Sequence, residues 1–228
     1  VEGWQVTDET IFLEGVYTKL YAHWIRPHRI FLDANGGTVE NATVTYVEQT
    51  VYGVLPAPRR TGYAFGGWTY EGETVVPETE FITDADHTLT AQWKAYRYSV
   101  HFMPNGGTGS ETAQEFKYDT LQSLEKCRFT RAGYTCVGWA TSASGAVVYE
   151  DGQMVKNLSA LQGGIVRLYA VWARNYTIVF DKGDGSGVTA SYAFPYGYSR
   201  RLPALRNGLH WERTGFTFKG WATSVANA

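Results

Sequence analysis

The chain has 228 residues, of which 44% are hydrophobic and 15% aromatic, and its formal net charge is −2 at pH 7. Aromatic and β-branched side chains are too plentiful for a disordered chain, and two cysteines exclude a disulfide-rich scaffold and a four-cysteine zinc site. No basic block exists beyond Arg59–Arg60 and Arg200–Arg201, which excludes a nucleic-acid footprint, and no apolar run approaches the roughly 20 residues of a membrane span.

In chain order, the first clear element is LYAHW at 20–24, whose alternation puts Leu20, Ala22 and Trp24 on one face of a half-buried strand. IFLDANGG at 30–37 follows, a strand running into an Asn-Gly turn, where both residues tolerate positive φ. Residues 43–52 supply a return strand, and Pro56 and Pro58 make 54–62 an irregular crossover. GYAFGGW at 62–68 is a third strand, and LTAQW at 89–93 closes the unit.

The series then repeats. VHFMPNGG at 100–107 opens a second copy, and residues 112–118 return. Residues 120–133 have room for about two turns of helix, GYTCVGW at 133–139 follows, and LYAVW at 168–172 closes. IVFDKGDGSG at 178–187 and GFTFKGW at 215–221 begin a third. Gly-Trp pairs at Gly3–Trp4, Gly67–Trp68, Gly138–Trp139 and Gly220–Trp221 recur at spacings of 64, 71 and 82 residues.

The pattern divides the chain into the C-terminal half of a repeat (1–26), complete repeats at 27–94 and 95–174, and the N-terminal part of another at 175–228. A chain that begins Val1-Glu2-Gly3-Trp4, without Met, is expected to be a piece of a longer protein. Two explanations of the half-repeats stand. Either the chain is cut from a longer array, or residues 175–228 of one chain are completed by residues 1–26 of another through open strand edges. Five or six residues separate successive copies and none forms a Gly/Ser linker, so neighbours should be semi-rigidly coupled in an extended array.

These motifs resemble the Listeria–Bacteroides repeat, related to the B-repeat of internalins. The matching residues are Asn35–Gly37, Tyr52–Gly53, Pro56, Gly62–Trp68 and Trp93 in one copy, and Asn105–Gly107, Tyr118, Gly133–Trp139 and Leu168–Trp172 in the next. Departures are Leu89-Thr90-Ala91 for Leu-Tyr-Ala, Asp119 after Tyr118, Cys136 for the aromatic, and GDGSG for NGG. The order strand–strand–crossover or helix–strand–strand suggests a small mixed sheet over one short helix in each copy, an α+β, mostly β class, and the resemblance implies tandem β-grasp-like (ubiquitin-like) modules. It also implies an extracellular place, on a bacterial cell surface or secreted, a stalk or adhesin role at the cell wall, and no catalytic motif.

Seven tryptophans (Trp4, Trp24, Trp68, Trp93, Trp139, Trp172 and Trp221) occupy repeat positions and are expected in the cores. Trp211 stands outside the pattern, in a crossover of 19 residues from Tyr196 to Gly215, against 10 and 15 in the other copies. Trp211 with His210 and Arg213 is therefore the candidate contact site for a glycan or host protein; the competing reading is that Trp211 staples the longer loop to its own domain. Cys127 and Cys136 fall at inward positions and form either a disulfide or two buried thiols. DKGDGSG at 181–187 lacks calcium-loop spacing, since Gly183 takes the third position, and reads as a hairpin turn. His23, His28, His87, His101 and His210 have no metal-ligand spacing, and no paired carboxylates recur, so neither a metal, a cofactor nor catalysis is expected. Asn41, Asn157 and Asn175 match the glycosylation pattern, which matters only in a eukaryotic secretory pathway. The function expected is a non-catalytic surface-protein repeat segment, acting as stalk or spacer and as a surface for proteins or neighbouring repeats. The alternative is a glycan- or host-protein-binding module appended to a secreted enzyme.

Overall fold

The computed structural model describes residues 26–47, 50–83, 85–203 and 209–224. Among them are twelve strands: β1 (His28–Asp33), β2 (Thr43–Tyr46), β3 (Tyr63–Tyr70), β4 (Glu73–Val75), β5 (His87–Ala95), β6 (Arg97–Met103), β7 (Thr112–Lys117), β8 (Gln122–Ser123), β9 (Tyr134–Ala140), β10 (Met154–Val155), β11 (Gly164–Asp181) and β12 (Thr189–Pro195). The class is mostly β. Trp4 and Trp24 lie outside the described residues. Two compact units are present: one ends at Arg59 and resumes over Phe65–Gln92, and the other joins Arg60–Ala64 to Trp93 and the residues after it.

In the first unit the sheet order is β2-β1-β5-β3-β4. β1 pairs antiparallel with β2 and parallel with β5, with Leu32 opposite Leu89. Alternation along β1 and β5 buries Ile30, Leu32, Leu89 and Ala91, and Tyr52 and Trp68 are buried with them. The return strand is shorter than the sequence suggests. β2 stops at Tyr46, whose hydroxyl donates to the Tyr52 carbonyl, and Val51 bridges instead to Glu80. β3 and β4 join through Glu71 (φ 48°) and Gly72 (φ 94°), two consecutive positive-φ residues of the kind that match strand twist in a tight hairpin.

The second unit repeats this connectivity. β6 pairs antiparallel with β7 and parallel with β11, and β9 lies antiparallel on β11 with a bulge at Val171–Trp172. Its core is Tyr98, Val100, Phe102, Phe116, Leu124, Phe129, Trp139 and Leu168, together with Val155 and Ala170. Burying aromatics of this size contributes roughly 2–3 kcal/mol each by area.

The helix expected within 120–133 does not form. Its backbone donors are taken by partners outside the segment: Leu124 N–H goes to Gln153 O at 2.9 Å, Glu125 N–H to Gln114 Oε1 at 2.9 Å and Cys127 N–H to Asp151 Oδ1 at 2.7 Å. Gln122–Ser123 pair as β8 with β10. A two-turn helix would have to nucleate at a net cost with few bonds to recover it, so the external partners win.

β11 is 18 residues long, well beyond the usual range of strands. Its first third pairs with β6, its middle with β9, and Asn175–Asp181 with β12. One unbroken strand thus closes the second copy and opens the third. The third copy's own core is Phe180, Phe194 and Leu209, with Ile178, Tyr192, Trp211 and Trp221 packed against it. GFTFKGW at 215–221, a strand in the other copies, has no strand partner among the described residues and is not extended in a sheet; Phe216 and Phe218 are exposed.

Candidate functional site

The repeated sequence motifs are coupled to one another by hydrogen bonds. Asn35 (φ 46°) and Asn105 (φ 47°) both adopt the left-handed conformation that Asn tolerates better than most residues. In the first copy Asn35 Nδ2 donates to Ala91 O at 3.0 Å; in the second, Asn105 Nδ2 donates to Ala170 O at 2.8 Å and to Ala143 O at 2.9 Å. Ala91 and Ala170 are the same alanine of the closing strand in the two copies. Trp172 Nε1 donates in return to Pro104 O at 3.0 Å, and a Cβ on Gly107 would stand 2.4 Å from Trp172 Cζ2. The opening turn and closing strand therefore specify each other.

A second recurrence, absent from the expected sites, is Arg-x-Gly-aromatic: Arg60 to Tyr63, Arg131 to Tyr134 and Arg213 to Phe216. In each copy the aromatic N–H donates to the Arg carbonyl, at 3.2, 3.0 and 3.1 Å. Gly62, Gly133 and Gly215 hold φ of 78°, 76° and 80°, the third-position geometry of a type II turn. The turn folds the guanidinium over the ring, with carbon-to-centroid distances of 4.1, 4.2 and 4.0 Å. This pattern was open to inspection in the sequence, but only the shared turn shows what it does.

The surroundings of the three turns differ. At Gly62 the Tyr118 ring closes down, so that an added Cβ would meet it at 2.3 Å. Tyr63 donates to Asp119 Oδ2 at 2.9 Å, while Asn157 Nδ2 and Lys156 Nζ bind the other carboxylate oxygen at 3.2 and 3.3 Å. The amide of Asn157, with the Tyr63 hydroxyl and Lys156, holds the Asp119 carboxyl below the usual carboxylate range. At Gly133 nothing stands within 4 Å of the Cβ position, and Tyr196, the third copy's counterpart of Tyr118, is 76% exposed.

Beside this open turn lies a cavity of about 620 Å³. Trp172, Tyr134 and Phe129 supply apolar wall, the Cys127–Cys136 pair lines it, and Arg131 and Asp151 bring one charge of each sign. Thr108, Thr130 and Thr135 add hydroxyls.

Cys127 and Cys136 are joined as a disulfide, with Cα atoms 6.5 Å apart. Trp68 and Trp139 are buried, whereas Trp93, Trp172 and Trp221 are half-buried at the margins of their cores. Trp211, His210 and Arg213 do not converge. Trp211 is half-buried and meets Trp221 edge-on at 6.2 Å; His210 is exposed; and Arg213 donates to Gly183 O at 3.2 Å while covering Phe216. In 181–187, Gly183 N–H donates to Asp181 Oδ1 and Ser186 N–H to Asp184 Oδ1, so the acidic side chains cap their own turn. Among the described residues no group of three metal-ligating side chains occurs, and no helix is long and apolar enough to cross a membrane.

The chain is similar in sequence to several curated proteins. The chain is 32% identical over 71% of its length to a protein of Evansella cellulosilytica named as a Gly-rich membrane protein, covering 19% of that protein. It is 29% identical over 76% of its length to a second Evansella cellulosilytica protein named as a membrane protein, covering 26% of it. It is 30% identical over 52% of its length to Internalin H of Listeria monocytogenes, covering 21% of that chain. The chain thus spans about a fifth to a quarter of the curated relatives it matches. Residues 28–92, 98–170 and 176–227 each match the Listeria-Bacteroides repeat domain, and the chain belongs to that family.

Proposed function

We propose that the chain is a non-catalytic tandem-repeat segment of a bacterial cell-envelope protein, displayed outside the cell, where it acts as a spacer that carries load between the parts it connects. The observation that supports this reading most directly is β11, whose 18 residues pass from one copy to the next without a linker. Pulling along such a strand loads two sets of ladder hydrogen bonds at once, and no flexible joint absorbs the force. The names of the relatives, two membrane proteins and an internalin, support the envelope location. We take 27–94 and 95–174 as complete modules of β-grasp type, the parallel β1–β5 and β6–β11 pairs being consistent with that arrangement. Proteins and neighbouring repeats are the partners this role calls for.

Insertion of Gly-Ser-Gly-Ser between Arg174 and Asn175 tests the coupling. Small-angle scattering of the inserted chain should show a broader distance distribution than the parent. Identical profiles would mean that the junction is already flexible, and the spacer reading would fall.

A further inference from the structure

We propose that the cavity beside the Cys127–Cys136 disulfide binds a carboxylate-bearing sugar residue, of the hexuronate type, within a glycan. The inference goes beyond the spacer role and does not depend on it.

The chemistry of the walls points to a pyranose. Trp172 and Tyr134 offer the apolar surface that the C–H face of a sugar ring needs, and Asp151 with Thr108 and Thr130 offers acceptors and donors for its hydroxyls. The volume of about 620 Å³ falls within the range of small-ligand sites. Asp151 uses Oδ1 to accept the Cys127 N–H at 2.7 Å, which fixes the carboxylate and leaves acceptor capacity on Oδ2 for a sugar hydroxyl.

Arg131 selects the carboxylate. Its guanidinium lies over Tyr134 at 4.2 Å. Stacking occupies a face of the guanidinium and leaves the in-plane N–H donors suited to a bidentate carboxylate. Among the described residues Arg131 has no ion-pair partner, and it does not pair with Asp151 across the cavity. The presence of Asp151 also disfavours a phosphate dianion in the cavity, since its second negative charge would face the aspartate at close range, whereas one uronate of a glycan brings a single charge to Arg131.

Only the second copy has all of these features among the described residues. In the first, Tyr118 covers Gly62 and Asp119 engages Tyr63. In the third, Arg213 is bonded to Gly183 O. Gly133, by contrast, is open.

The test is calorimetric titration of the full chain with trigalacturonate, with a neutral galactotriose as the comparison. Trigalacturonate should bind saturably and at least about tenfold more tightly than the neutral sugar, and Arg131→Gln should remove that preference. Arg213→Gln, the same turn position outside the cavity, should bind as the parent does. Arg131→Lys retains the charge and loses the planar fork, so it should bind weakly while melting at the parent's temperature. Absence of saturable trigalacturonate binding, equal affinity for the two sugars, or Arg131 variants that bind like the parent would each overturn the proposal.

Discussion

Asn105 and Ala170 are 65 positions apart in sequence, yet the Asn105 amide donates to the Ala170 carbonyl at 2.8 Å, and Asn35 repeats the bond to Ala91 at 3.0 Å. The bond ties the opening turn of a copy to its closing strand. Ala170 is fully buried, so its carbonyl has little access to water if the donor is lost. Asn105→Ala removes this donor, a second bond to Ala143 O, and a residue suited to φ 47°. The expected loss is about 2–4 kcal/mol, the sum of a bond left unmade and left-handed strain, read as a lower urea midpoint.

Gly107 stands against Trp172 so closely that a Cβ would meet the ring at 2.4 Å and two carbonyl oxygens at 3.1 Å. Gly107→Ala should destabilise the fold by about 1–3 kcal/mol, as overpacking does. Trp172→Phe removes the atom in conflict, and the pair should therefore be non-additive in a double-mutant cycle. Strict additivity would show that the ring is not the obstacle.

The Cys127–Cys136 disulfide closes a short loop, its ends nine residues apart. Loop-closure entropy for that length gives about 2–3 kcal/mol. Reduction, or replacement of both cysteines by serine, should lower the melting temperature accordingly, and adding reductant to the serine variant should change nothing further.

Asp119 has its folded-state pKa lowered by Asn157, Tyr63 and Lys156, in that order. A depressed carboxylate pKa contributes stability above the unfolded-state value of about 3.9 that disappears as pH falls through the folded value. Asp119→Asn should flatten the melting temperature's dependence on pH below about 4, with little change in slope from pH 5 to 7. An unaltered acid limb would show that the bonds to Tyr63 and Asn157 do not persist in solution.

Period and motif order were legible in the sequence because the copies keep turn and core residues at matching places: Asn-Gly for positive φ, alternating apolar residues for strands, Gly-Trp for a buried core ring. The missing helix was not legible. Residues 120–133 carry enough helix formers to suggest one, but Gln114, Asp151 and Gln153 approach from elsewhere in the chain and take the donors. The cavity was hidden for a similar reason. Arg131, Asp151 and Trp172 are far apart in sequence and meet only when β9 pairs with β11 and the disulfide draws the crossover back.

That the chain is a tandem array of small, mostly-β copies follows from local periodicity and turn chemistry, which act over a few residues at a time and so can be read in order along the chain. Long-range packing made the remaining choices. It favoured external partners over an internal helix, carried one strand through two copies, covered Gly62 with Tyr118 and left Gly133 open. Each outcome depends on which groups from distant parts of the chain reach a donor or a ring first, and no local pattern records that competition.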